Sequence, residues 1–243
     1  MTTTPRDQPT PDPPGTLKLV AFDMDGTLVD VRSSWAAVHD HFHESNEEAL
    51  EAFMQDRIDD EEFVRRDLAL WHRHKPDICQ RDLEEILARV PLMPGAKELF
   101  QALRDRNSRT AIVSGGLDAL ALRLGRELGV DVCLANGFHQ GEGGTLLKGR
   151  IDVPVKRKEE VLRALQRRLS ITPEETASVG NSEIDVGLFR ASRVGIAFLP
   201  EDDIVRQAAS HVVEVKDLTE ILRYLPLDGP RAGRPLRRGR GRP

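Results

Sequence analysis

Short apolar runs rich in β-branched residues alternate along this chain with segments of helical spacing, and that alternation limits the fold more than any single motif does. The runs are LKLVAF (17–22), RTAIVS (109–114), VDVCLA (130–135), TASVG (176–180), RVGIAF (193–198) and HVVEV (211–215). Each is too short for a helix, and their composition suits a pleated, buried surface. Between them, Ala96, Leu99, Phe100 and Leu103 fall at i, i+3, i+4 and i+7, as do Leu117, Leu120, Ala121 and Leu124, with Leu128 one turn on. Leu218, Ile221, Leu222 and Leu225 repeat the pattern, and Thr172-Pro173-Glu174-Glu175 has the cap, proline and acid of a helix start. Strands alternating with helices predict an α/β fold, a Rossmann-like parallel sheet with helices on both faces.

Two stretches interrupt the alternation. Residues 31–91 carry helical patterns only, with Ser45 and Glu48 spaced as a capping box and Leu83, Ile86, Leu87 and Val90 forming an apolar stripe. Residues 136–155 have the glycines and alternation of a β-hairpin. The expected organisation is an α/β core of residues 16–30 and 92–227, an inserted helical cap of residues 31–91, and disordered tails at 1–15 and 228–243. The first tail holds five prolines; the second holds six arginines and, from Pro230 on, no acid.

The net charge of −5 therefore hides a more acidic body, which argues against nucleic acid as the substrate because phosphate backbones are bound by basic patches. No apolar run reaches the length of a membrane span, and a soluble, cytoplasmic protein is expected. The two cysteines, Cys79 and Cys133, indicate neither a disulfide framework nor a zinc site.

In a parallel sheet, ligands bind outside the carboxyl ends of the strands. Three runs end there in polar, glycine-containing sequence: DMDGT with Asp23, Asp25 and Thr27; SGG with Ser114 and Gly115; and GNSEID with Asn181 and Asp185. Two aspartates at i and i+2 of a strand would share a face, and like charges so close are unfavourable unless a cation lies between them or one stays protonated. A hard divalent ion, most simply Mg2+, meets that need with oxygen ligands. Ser114, the amides around it and Thr27 can donate to an anion, and Lys156 or Lys158 can neutralise it. Oxygen ligands, a cation and a donor cradle suit phosphoryl transfer. Each motif alone is ordinary turn chemistry; the three together, in this order with a lysine between the second and third, carry the signal.

With those motifs the sequence resembles the haloacid dehalogenase superfamily of phosphohydrolases from about Leu17 to Leu225, and within it the branch that contains phosphoserine phosphatase. DMDGT, SGG and GNSEID stand for its first, second and last motifs, and Lys158, 23 residues before Asn181, has the spacing of its lysine better than Lys156. The resemblance implies a Mg2+-dependent phosphomonoesterase acting on a small phosphorylated metabolite. Asp23 would be the nucleophile that forms an aspartyl-phosphate, and Asp25 the general acid and base. Ser114, Gly115 and Lys158 would hold the phosphoryl group and Thr27 would order the surroundings. Asp23, Asp25 and Asn181 would bind Mg2+ with Asp185 in support. The second aspartate favours phosphate esters over halides, whose departure needs no proton.

Two departures bear on function. Asn181 brings an amide where the family has a carboxylate, so Asp185 or Glu183 would have to restore the missing charge, and Asp185 at least is expected to reach the metal or its waters. Arg32 stands nine residues after Asp23, where phosphoserine phosphatases carry a glutamate that reads the substrate's ammonium group. An arginine there would favour a second anion over phosphoserine, or else point to solvent. His39 and His43, one helical turn apart, are expected to face solvent or the cleft rather than a metal. The rival readings are a phosphotransferase of the same fold and a catalytically weakened phosphate-binding protein.

Overall fold

The computed structural model describes residues 15–227, so the expectations for the two tails, apart from Gly15, lie outside the described residues. Strand β1 (Leu19–Phe22) is central, with β2 (Arg109–Leu117) on one side and β5 (Thr176–Gly180) on the other, both parallel to it. Beyond β2 comes β3 (Val132–Gln140); beyond β5 come β6 (Val194–Phe198) and β7 (His211–Val213), all parallel. The hairpin strand β4 (Leu146–Arg150) pairs antiparallel with β3, giving the order β4-β3-β2-β1-β5-β6-β7.

Why both faces of the sheet must be covered is visible in β1, whose four residues are all buried. Successive side chains point to opposite faces. Val20 and Phe22 join an apolar cluster with Leu99, Phe100 and Leu103 of α5 (Ala96–Asp105) and Leu120 and Leu124 of α6 (Asp118–Leu128). Leu19 and Ala21 join a second cluster with Leu162 and Leu165 of α7 (Lys158–Leu169), Leu188 of α8 (Val186–Arg190) and Val205 of α9 (Asp203–Ala208). The helical spacings read from residues 96–128 are the faces that bury.

Four helices separate β1 from α5: α1 (Ser34–Phe42), α2 (Glu47–Met54), α3 (Asp60–His74) and α4 (Gln80–Leu87). Ser33 caps α1, its Oγ accepting the amides of Trp35 and Ala36, and Asp59 caps α3 through the amide of Glu62. An aromatic seam ties them to the sheet. Trp35 stacks on Trp71 with ring centroids 5.7 Å apart, and Phe138 of β3 meets both rings edge-on at 5.8 Å. The hairpin supplies a second tie: Leu146 of β4 receives a hydrogen bond on its carbonyl from His72 Nε2 at 3.1 Å and gives its amide to the carbonyl of Ile78 at 2.9 Å.

Several local expectations change. Asn46, not Ser45, precedes α2, and its side chain makes no cap bond because it turns inward to Asp67. Thr172 and Glu175 do form a reciprocal capping box, yet only a single 3-10 turn follows, since Thr176 already pairs with Leu19 as the start of β5. The apolar repeat near the end is a 3-10 helix, Leu218–Tyr224, in which Leu218 and Ile221 are fully buried three residues apart. His39 is buried and stands in the wall of the cleft, one of the two places expected for it, whereas β1 stops at Phe22, so Asp23 and Asp25 lie beyond the strand and not on one face of it.

Candidate active site

The loop after β1 is shaped by Gly26, whose φ of +71° is a left-handed conformation that side chains disfavour. A Cβ there would also collide with the Asn181 side chain, which arrives from the end of β5. On the other flank, a Cβ at Gly116 would come within 2.6 Å of Asp25 Oδ2 and of Ser34 Oγ. The glycines of DMDGT and SGG thus let three strand ends close on one crevice.

Asp23 leaves β1 with its amide bonded to the carbonyl of Val179 and its side chain buried. Lys158, the first residue of α7 and 1% exposed, places Nζ 2.7 Å from Asp23 Oδ1 and 2.7 Å from Asp185 Oδ1. The second oxygen of Asp185 accepts the amides of Asn181 at 2.9 Å and Ser182 at 3.2 Å, so both its oxygens are committed to protein donors. Lys156 points elsewhere: its Nζ meets the carbonyls of Phe53 and Met54 and the carboxylate of Asp56, at the end of α2.

Burial raises Asp23 to about 7, helped by the charge of Asp185 and opposed by Lys158. Burial likewise raises Asp25 to about 6, against two hydrogen bonds from Ser34. Burial works against the Lys158 ammonium too, but the carboxylates of Asp185 and Asp23 overcome it and hold its pKa above the ordinary value.

Ser34 went unnoticed in the sequence. Its amide and its Oγ both donate to Asp25 Oδ2 at 2.8 Å, and its Oγ accepts the amide of Leu117 at 2.9 Å. Asp25 Oδ1 is buried and has no hydrogen-bond partner. Nor does Asp23 Oδ2 have one among the described residues, so each aspartate has one fixed oxygen and one free. Ser114 Oγ accepts the amide of Gly116 at 3.1 Å, which leaves its hydroxyl hydrogen available. The carbonyl of Gly115 is held by Trp35 Nε1 at 3.0 Å and Asn136 Nδ2 at 3.2 Å.

Asn181 is fixed from both ends. Its Oδ1 accepts from Thr27 Oγ1 at 3.3 Å, and its Nδ2 donates to Glu201 Oε1 at 3.0 Å. The acid touching the Asn181 side chain is thus Glu201, from the loop after β6, and neither Asp185 nor Glu183. Burial raises the pKa of Glu201 and the nearby charge of Arg32 lowers it, with Asp202 and Asp185 adding to the rise.

A cavity of about 450 Å3 lies between these strand ends and the inserted helices. Asp23, Asp25, Ser114, Gly115, Lys158 and Asn181 line it, and Arg32 and Glu201 stand in the same lining. Thr27 and Asp185 stand behind it, on Asn181 and Lys158. Among the described residues no cluster of three His, Cys, Asp or Glu side chains suits a metal. The Asp23 carboxylate, the main-chain carbonyl of Asp25 and the amide oxygen of Asn181 are nevertheless the hard donors that Mg2+ takes. Two desolvated carboxylates beside one ammonium leave room for that added charge.

The sequence profile of haloacid dehalogenase-like hydrolases matches residues 20–190. A phosphoserine phosphatase of Wolinella succinogenes is 32% identical over 213 residues, covering 86% of this chain and 100% of the relative. One of Methanocaldococcus jannaschii is 29% identical over 216 residues, covering 86% and 97%. A solved structure of a substrate-bound phosphoserine phosphatase complex superposes with a TM-score of 0.72 at 25% identity, covering 87% of this chain and 99% of that one.

Proposed function

The chain belongs to the haloacid dehalogenase-like hydrolase family, in its phosphoserine phosphatase-like branch, and is a phosphoric monoester hydrolase; we propose that it is a Mg2+-dependent phosphatase of small phosphorylated metabolites that works through an aspartyl-phosphate. One observation carries this reading: Asp23 and Asp25 line one cavity, each with one oxygen anchored and the other free.

The free oxygen of Asp23 attacks phosphorus while the bond to the ester oxygen breaks. Asp25 Oδ1 gives that oxygen its proton, and the alcohol leaves. Asp25 then takes a proton from water as the water oxygen attacks the aspartyl-phosphate, which frees phosphate and restores Asp23. Lys158 spends two of its three N–H groups on Asp23 and Asp185 and has the third for a phosphoryl oxygen; Ser114 offers its hydroxyl hydrogen to another. Mg2+, held by Asp23, the Asp25 carbonyl and Asn181, would supply charge neutralisation at the transferred group. Thr27 and Glu201 orient Asn181, and Arg32 would meet a second anion at the rim. Helices α1–α4 would act as a cap that keeps bulk water from the intermediate.

Hydrolysis of an aryl phosphate with and without Mg2+ tests the reading. Asp23→Asn is expected to lose activity by about a thousandfold or more while keeping its fold. Retention of the rate in that variant would overturn it.

A further inference from the structure

The Ser114–Gly116 segment, proposed above to hold the phosphoryl group, is not held by the sheet. Pairing of β2 with β1 ends at Ile112, and its pairing with β3 skips from Val113 to Leu117. Ser114, Gly115 and Gly116 therefore have no partner in either register. A bulged segment of this kind re-aims its side chains and needs other groups for its backbone.

Side chains supply them. Ser114 Oγ accepts the amide of Gly116 at 3.1 Å, and Ser34 Oγ accepts that of Leu117 at 2.9 Å. The carbonyl of Gly115 accepts Trp35 Nε1 at 3.0 Å and Asn136 Nδ2 at 3.2 Å. Carbonyl and amide of the Gly115–Gly116 peptide share one plane, so two donors on one side and Ser114 Oγ on the other fix it. With a lone pair committed to Gly116, Ser114 keeps its hydroxyl hydrogen for the cavity. Turning the peptide would break the Gly116 bond and free that hydroxyl to rotate.

The two donors are not equivalent. Asn136 divides its Nδ2 between Gly115 and the carbonyl of Val153, whose amide its Oδ1 also accepts. Trp35 commits its single N–H to Gly115, and an indole N–H cannot reverse its role. Its ring stands in the cavity wall, stacked on Trp71 at 5.7 Å and met edge-on by Phe138 at 5.8 Å.

We propose that Trp35 is a positioning residue for phosphoryl binding: its N–H sets the Gly115–Gly116 peptide and, through it, the Ser114 hydroxyl. Trp35 belongs to α1, so the anion cradle at the end of β2 takes its shape from the inserted helices. This deepens the phosphatase reading and rests on it.

The test is calorimetric binding of inorganic phosphate, with Mg2+ present, by the full chain and by its Trp35→Phe and Trp71→Phe variants. Each substitution removes one indole N–H from the same stacked pair, but Trp71 Nε1 donates to His39 and not to the cradle. The Kd of Trp35→Phe is expected to exceed that of Trp71→Phe about fivefold or more. A smaller ratio overturns the proposal, because a packing role moves both variants alike. Should circular dichroism show either variant unfolded, benzothienylalanine in place of Trp35 decides. It keeps the fused rings with sulfur for the N–H, and a Kd raised less than about fivefold over the unmodified chain overturns the proposal. Aryl phosphate turnover by the unmodified chain separates the two readings. Turnover without the expected rise in Kd sinks the positioning role alone, and that rise without turnover sinks the phosphatase reading alone. An unmodified chain that binds no phosphate sinks both.

Discussion

Ser34 holds Asp25 by two hydrogen bonds to a single carboxylate oxygen, both 2.8 Å long, and leaves the other oxygen bare. The pair joins the first turn of α1 to the loop after β1, so placement of the proposed acid depends on the inserted helices being seated.

Ser34→Ala keeps the amide bond and loses the hydroxyl one, together with the acceptor for Leu117. The kcat for an alkyl phosphate should fall about tenfold or more. Loss for an aryl phosphate should be smaller, because its leaving group needs a proton less. Steady-state kinetics on the two esters give the comparison, and equal losses would remove leaving-group protonation from the account of Ser34.

Lys158 lies between Asp23 and Asp185 with all three side chains nearly or fully out of solvent. Lys158→Met strands two buried carboxylates and should destabilise the fold by about 3–5 kcal/mol, read from urea denaturation, besides abolishing turnover. A cost below about 1 kcal/mol would mean that the carboxylates find other partners.

Glu201 contacts the amide that stands at the proposed metal ligand position. Glu201→Gln removes the nearest compensating charge and should weaken Mg2+ binding about tenfold in a calorimetric titration. Asp185→Asn should instead act on stability, because both Asp185 oxygens are tied to Lys158 and backbone amides. Equal effects of the two variants on Mg2+ affinity would contradict this division.

Lys156 binds the last turn of α2 through the carbonyls of Phe53 and Met54 and the carboxylate of Asp56. Lys156→Ala should loosen that turn over the cavity, raising KM several-fold with kcat little changed and speeding proteolysis near residues 53–57. An unchanged KM and cleavage rate would show that the turn holds by packing alone.

The core was legible because its signals are local. Strand ends at Phe22, Gly180 and Phe198 follow from short β-branched runs, and placing polar glycine motifs at such ends is enough to bring Asp23, Asp25, Ser114 and Asn181 to one cavity, whereas Lys158 is singled out by the spacing of the family's lysine. Relationships closed by distant contacts were not legible. Glu201 meets Asn181 across two strand ends, Ser34 meets Leu117 across 83 residues, and His39 meets Asp67 and Trp71 inside a helical cluster whose packing no spacing rule supplies. Lys156 and Lys158 make the point most sharply. Two positions apart at a helix start, one is buried on Asp23 and the other holds α2, and composition does not distinguish them.

Strand β4 has one more consequence. An outermost strand usually leaves backbone donors and acceptors unpaired, a template on which another chain can add a strand. Here the amide and carbonyl of Leu146 are taken by Ile78 and His72, and Lys148 adds an exposed charge to the same strand. At the opposite border β7 is only three residues long. Both margins of the sheet are thus poor seeds for amyloid-like stacking, and at β4 it is the segment inserted after β1 that covers the edge.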